Sequence, residues 1–280
     1  MLVDKTLDRY KRTKDNFFII TVNSIAYFII SFIVIYLLGQ LLTAVIALQY
    51  DFKSVIYYHR LAWVIDSSDW TVESVKLLFS LAPLLSFIVG VICLIIYVLL
   101  YDERTNLKQF FLWGFAHGMV WFFGATLAGA LLDKGIGYVI MYMYFQDTER
   151  TILSLLFLTA LLLTAAFTTR WFLFSGNAYF NQLNEHNRSF FTYSQIIVPA
   201  ILGTLILILS KLPLITYYEL FTLLTMLVFI IPILATHRSF PTFYFDEIPI
   251  TIKADKKAII TASLMLVAFR VIFHFGIMIG

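Results

Sequence analysis

Charge in this chain is confined to short intervals between long runs that hold no Asp, Glu, Lys or Arg. The runs are Asn16 to Tyr50, Leu77 to Tyr101, Gln109 to Leu132, Thr151 to Thr169, Ser189 to Ser210, Leu220 to Thr236, and Ala258 to the next charge at Arg270. A helix rises about 1.5 Å per residue and a bilayer's hydrocarbon core is about 30 Å thick, so about 20 apolar residues cross it. Most of the runs are that long. They are apolar all round, as helices facing lipid must be, and none has the alternation of about 10 residues that marks an outer-membrane strand. Only 13% of the residues are charged and the mean hydropathy is +0.87, against about 25% charged in soluble domains. The expected fold is therefore an all-α, polytopic integral membrane helical bundle. Seven helices are expected, near 17–40, 77–101, 109–132, 151–172, 192–210, 214–236 and 258–279, or six if the last does not cross. Residues 1–16 read as a basic tail and 17–280 as one transmembrane domain.

The first uncharged run is too long for one perpendicular crossing and too long for a signal-peptide core, so it reads as a retained helix. It must tilt, break near Gly39-Gln40, or project from the membrane. With seven crossings, most of the chain's 20 basic residues fall on the N-terminal side, from Lys5, Arg9 and Lys11 to Lys253, Lys256 and Lys257. Basic loops stay in the cytoplasm, which orients the N-terminus inside and the C-terminus outside. That asymmetry suits a bacterial cytoplasmic membrane. Trp70, Tyr101, Trp113 and Trp171 lie near expected helix ends, where amphipathic rings favour the headgroup layer. Pro83, Pro199 and Pro232 lie within expected spans and remove backbone hydrogen bonds there.

Three loops are long enough for structure. In 51–76, Val55, Tyr58, Ala62 and Ile65 stand at helical spacing, which predicts an interfacial helix with Asp69 capping the span that follows. In 175–191, Asn177, Asn181, Asn184 and Arg188 share a helical face, which predicts a cytoplasmic extension of the fourth helix whose polar face is solvated or, second, docks a partner. In 237–257, Ile248, Ile250 and Ile252 alternate, followed by three lysines suited to anionic lipid. The last two loops are the candidate contacts for protein partners; the other partner is the lipid bilayer.

A net charge of +3 spread along the chain offers no basic face for nucleic acid. Cys93 is the only cysteine, which excludes an intrachain disulfide and thiolate metal clusters. No His-Glu-x-x-His, Gly-x-Ser-x-Gly or phosphate-binding Gly-Lys motif occurs, and no metal or cofactor site is expected. No catalytic residue is assigned, and the enzyme reading ranks last.

Ionisable residues inside spans are costly unless paired or wet. Counting helical rise, Glu219 lies near the outer end of helix six, and Arg270 and His274 lie in the outer half of helix seven. Asp133 ends helix three at the same face. Matched depth makes Asp133, Glu219, Arg270 and His274 a candidate outward-facing polar pocket. The plainer reading is a structural ion pair with snorkelling side chains. His117 sits in helix three among Gly114, Ala116 and Gly118. It is a candidate buried polar residue, either hydrogen-bonded to a neighbouring hydroxyl, a proton carrier or a haem ligand. The small residues around it, continued by Gly124, Ala125, Ala128 and Gly129, let helices approach closely and make helix three central. Two readings of function lead: a non-enzymatic membrane subunit, assembly factor or scaffold, and a small-solute transporter or permease using the polar pocket. An intramembrane enzyme comes third.

Overall fold

The structure is a computed structural model that describes residues 2–103, 105–143, 145–245 and 251–280. It is an all-α helical bundle of polytopic membrane type, and among the described residues six helices are long and apolar enough to cross a bilayer. The main helices are α1 (Leu2–Ala47), α2 (Val72–Leu99), α3 (Leu107–Leu132), the short α4 (Gly137–Tyr142), α5 (Asp147–Phe174), α6 (Glu185–Lys211), α7 (Tyr217–Thr236) and α8 (Lys256–Ile272). The last has 17 residues and packs along α1, its start held where Asp255 N–H donates to Asn23 at 2.8 Å and its end where Tyr58 N–H donates to the Phe273 carbonyl oxygen at 3.1 Å.

The first helix does not break at Gly39-Gln40. Its 46 residues form one continuous helix, about 69 Å long at 1.5 Å per residue. It therefore projects beyond a bilayer on the N-terminal side, and the basic segment shares a helix with the first span. Helix α3 is central, because 72% of its apolar window is buried, against 22% for the α5 span. Glycine explains how α2 comes so close. A methyl group at Gly118 would lie 2.5 Å from the Ser86 carbonyl oxygen and 2.6 Å from the Gly90 Cα, so only two glycines facing each other permit this crossing.

Two helices carry one π-type turn each, at Val120–Gly124 in α3 and Tyr193–Ile197 in α6. In the first, the side chain of Thr225 occupies the space that a Cβ on Gly124 would need. The wide turn thus seats α7 against α3.

The expected interfacial helix at 51–76 is instead a β-hairpin. Strands β1 (Lys53–Ile56) and β2 (Leu61–Val64) pair antiparallel, with Lys53 opposite Val64 and Ile56 opposite Leu61. The helical spacing seen in the sequence was shared by a stretch rich in β-branched and aromatic residues, which favour a pleated, half-buried surface. A backbone of φ 57° at Asp51 turns the chain out of α1. The cap on α2 is Thr71, not Asp69: Thr71 and Ser74 exchange side-chain and backbone hydrogen bonds of 3.1 and 3.0 Å. The last helix is also shorter than expected. It ends at Ile272, Gly276 turns at φ 79°, and β5 (Ile277–Ile279) adds to the free edge of β1. Both chain ends therefore belong to opposite faces.

The segment 175–191 does not extend the fourth helix. A short 3-10 turn at Ser175–Ala178 and strand β3 (Gln182–Leu183) intervene, and Glu185 starts α6 under an Asn184 cap. Strand β3 pairs with β4 (Phe243–Tyr244), Gln182 opposite Tyr244. Ile248 and Ile250 lie outside the described residues.

Candidate functional site

The hairpin, the C-terminal half of α1, the N-terminal half of α2, the 134–138 turn and the first turn of α7 enclose a cavity of about 940 Å³. Its aromatic wall is continuous: Trp63 meets Trp70 with ring centres 5.5 Å apart, Trp70 meets Phe79 at 5.4 Å, and Phe79 meets Tyr138 at 5.0 Å. Arg60 and Lys134 are exposed and stand on its lining, whereas Trp121, Pro83, Thr43 and Glu219 are buried and form its deep end. Gly135 holds φ 56° with the Tyr218 ring over it. A side chain there would both strain the turn and displace the ring.

Behind the cavity lies a buried ion pair. Lys211 Nζ is 3.1 Å from Glu219 Oε1, the Tyr36 hydroxyl donates to the same oxygen at 2.9 Å, and the lysine stands 3.7 Å above the Tyr36 ring centre. Lys211 is fully buried and Glu219 is 5% exposed. A buried pair offsets its desolvation cost only when hydrogen bonds satisfy the remaining groups. Here Glu219 Oε1 is doubly satisfied, while Oε2 is buried with no hydrogen-bond partner among the described residues.

The four residues matched by depth do not form one constellation. Glu219 lines the cavity and pairs with Lys211, not with Arg270. Arg270 lies 3.8 Å over the Tyr58 ring and donates to the Ser210 carbonyl oxygen at 3.2 Å. His274 is exposed and stacks on the other partner of that arginine, Tyr58, at 6.0 Å. Asp133 forms a separate bridge to Arg150 at 2.7 Å. Depth arithmetic fixes height along a helix but not rotation around it. The residues it overlooked are Lys211, Tyr36, Tyr58 and Arg60. Lys211 had a signal: it precedes Glu219 by eight positions across the tight link between α6 and α7.

Cations surround this corner. His59 is 6% exposed, and its pKa is lowered to about 4, chiefly by burial and then by Arg60, Lys211 and Arg270. Burial is the main reason the imidazole stays neutral, and the three neighbouring cations act in the same sense.

His117 is 2% exposed and lies among Phe28, Phe32 and Trp113. Its Nε2 is 3.0 Å from the Phe28 carbonyl oxygen. A carbonyl can only accept, so Nε2 carries the hydrogen. The partner is backbone and not a neighbouring hydroxyl. Toward the N-terminal face a polar network follows. Asn23 and Gln109 both donate to the Tyr179 hydroxyl, at 3.3 and 2.8 Å, Tyr27 donates to Asp255 at 2.7 Å, and Trp113 donates to Ser24 at 2.9 Å. Burial raises the Tyr179 pKa to about 12, so its phenol stays protonated.

The loops at that face are bound to one another. Lys108 is fully buried and donates to the Glu103 carbonyl oxygen at 2.8 Å and to the Asn177 side chain. Arg188 donates to the carbonyls of Arg238 and Pro241 at 3.0 and 2.9 Å. Asn177 and Arg188, expected on a solvated face, are internal ties.

Among the described residues no group of three or more His, Cys, Asp or Glu is arranged to hold a metal. Cys93 is buried against Gly114. No protein-family model, curated protein or solved structure matches the chain. The fold and the site together define a multi-pass helical membrane protein with an aromatic cavity at one face of its bundle.

Proposed function

We propose that this chain binds a small solute in the hairpin-face cavity, as a permease or a solute-binding membrane component does. The observation that carries the reading is the cavity itself: about 940 Å³, at the upper end of the 300–1,000 Å³ of ligand sites, mostly apolar with a few convergent polar groups. Glu219 adds a buried acceptor oxygen with no partner among the described residues. The scaffold reading leaned on the loops 175–191 and 237–257; in the first, Asn177 and Arg188 are engaged internally, Arg188 with carbonyls of the second, and this reading is the weaker of the two. The basic excess near the N-terminus supports a cytoplasmic N-terminus, with the cavity opening outward in a bacterial inner membrane.

The test is mass spectrometry of the full chain purified gently from its native membrane. A retained small molecule, lost when Ala62→Trp or Gln40→Trp fills the cavity, is the expected result. A stoichiometric protein partner with no small molecule in either form would overturn the reading in favour of a subunit.

A further inference from the structure

We infer that the cavity takes an amphipathic anion: a phosphate- or carboxylate-headed molecule with an apolar chain. The inference rests on the proposed binding function and adds the ligand's chemistry. Charge is the first argument. The lining carries two exposed cations, Arg60 and Lys134, and one acid, Glu219. The acid is already matched by Lys211 at 3.1 Å, so the excess at the cavity is positive. Neither Arg60 nor Lys134 has a carboxylate partner among the ion pairs of the described residues. Asp133, next to Lys134 in sequence, is bound to Arg150 instead. Lys134 leans on Tyr138, its Nζ 3.3 Å from the hydroxyl, which keeps the ammonium at the lining.

Two further features act in the same sense. Thr216 to Glu219, the N-terminal turn of α7, is part of the wall, and a helix start carries partial positive charge. Arg270 stands close behind, over Tyr58, with a carbonyl and no acid as its partner.

The lining divides by exposure, and this sets the ligand's shape. Arg60 and Lys134 are exposed, Trp63, Trp70 and Phe79 are half-buried, and Leu78 and Trp121 are buried. A free inorganic anion would leave that wall uncovered, and a neutral hydrocarbon would leave the cations unmatched. An anionic head at Arg60 and Lys134, with its chain against the indoles, covers both.

The test uses the purified full chain in an uncharged detergent, with three probes: oleoyl lysophosphatidic acid, oleoyl lysophosphatidylcholine and inorganic phosphate. Dissociation constants are read by native mass spectrometry for the unmodified chain and for Arg60→Gln/Lys134→Gln, Ala62→Trp and Gln40→Trp variants. The lysophosphatidic acid is expected to bind about tenfold tighter than the choline lipid, from two partly exposed charge contacts, and phosphate alone not measurably. The double glutamine variant should erase the preference while leaving binding of the choline lipid. Equal binding of both lipids to the unmodified chain overturns the anion inference but leaves the cavity reading intact. Phosphate binding as tightly as the lipid overturns the amphipathic part. If Ala62→Trp and Gln40→Trp, each eluting as the unmodified chain does, bind all probes unchanged, the cavity is not the site and the underlying function falls with it.

Discussion

The two faces of the bundle treat their polar groups in opposite ways. At the N-terminal face, Lys108 and Asn177 bind loop carbonyls and each other, Arg188 binds two further carbonyls, and Asn23, Gln109 and Tyr179 join in a continuous network. At the hairpin face, Arg60 and Lys134 stay exposed beside an open cavity, and the buried charge is gathered into one pair behind it. Both ends hold cations in numbers, so composition does not separate them. What differs is whether the chain supplies the acceptors itself. A cation bound to carbonyls has its hydrogen bonds filled and closes an end; a cation at a cavity rim is available to something else.

Breaking the pair at the hairpin face should have the largest effect. Lys211→Met leaves Glu219 buried without its counter-charge and is expected to cost about 3–5 kcal/mol, read as a lower unfolding midpoint in detergent. Lys211→Met with Glu219→Leu should recover most of that loss. A double variant as unstable as the single one would mean that the pair does more than balance charge. At the other face, Arg188→Ala removes two donors from carbonyls in the loop after α7 and should lose about 2–3 kcal/mol. Its effect should appear as faster proteolysis near 237–245, with ligand binding at the cavity unaltered. Smaller still is Tyr179→Phe, which leaves the Gln109 amide without an acceptor, while Asn23 keeps the Lys253 carbonyl oxygen at 3.0 Å, and should cost about 1–2 kcal/mol.

The mildest test uses pH. His59 has a folded pKa of about 4, below an unfolded value near 6.5. The unfolded chain therefore binds more protons between these values. Stability from this group is complete above about pH 6.5 and is lost as the pH falls toward 4. His59→Gln should flatten that part of the stability profile, and an unchanged slope would show that His59 is not held neutral. Arg60→Gln, by contrast, should hardly move stability at neutral pH, since Arg60 is exposed and surface charges contribute little.

The same contrast accounts for what the sequence disclosed. Spans were legible because hydrocarbon excludes charge wherever a helix crosses, and every long uncharged run became helix. The central place of α3 was legible in Gly114, Gly118 and Gly124, since small residues leave only one way for neighbours to pack. The hairpin was not: β1 obtains its second partner, β5, from more than 200 residues away, and no local spacing encodes that. Nor was the partner of Glu219. Its depth followed from helical rise, but the choice of Lys211 over Arg270 depends on helix rotation and on how the short link at 212–216 closes. Asn177 and Arg188 looked like a solvated stripe because a helical wheel assumes the helix continues, and here it stops at Phe174.

The most direct measurement is labelling by a small, water-soluble thiol reagent of two single-cysteine variants, Gln40→Cys on the half-exposed cavity lining and Gln109→Cys in the buried network of the opposite face, both in a Cys93→Ser background and in lipid nanodiscs. The account predicts rapid labelling at position 40, slowed by added oleoyl lysophosphatidic acid, and little labelling at position 109. Equal labelling at both positions, or protection of neither by the lipid, would contradict it.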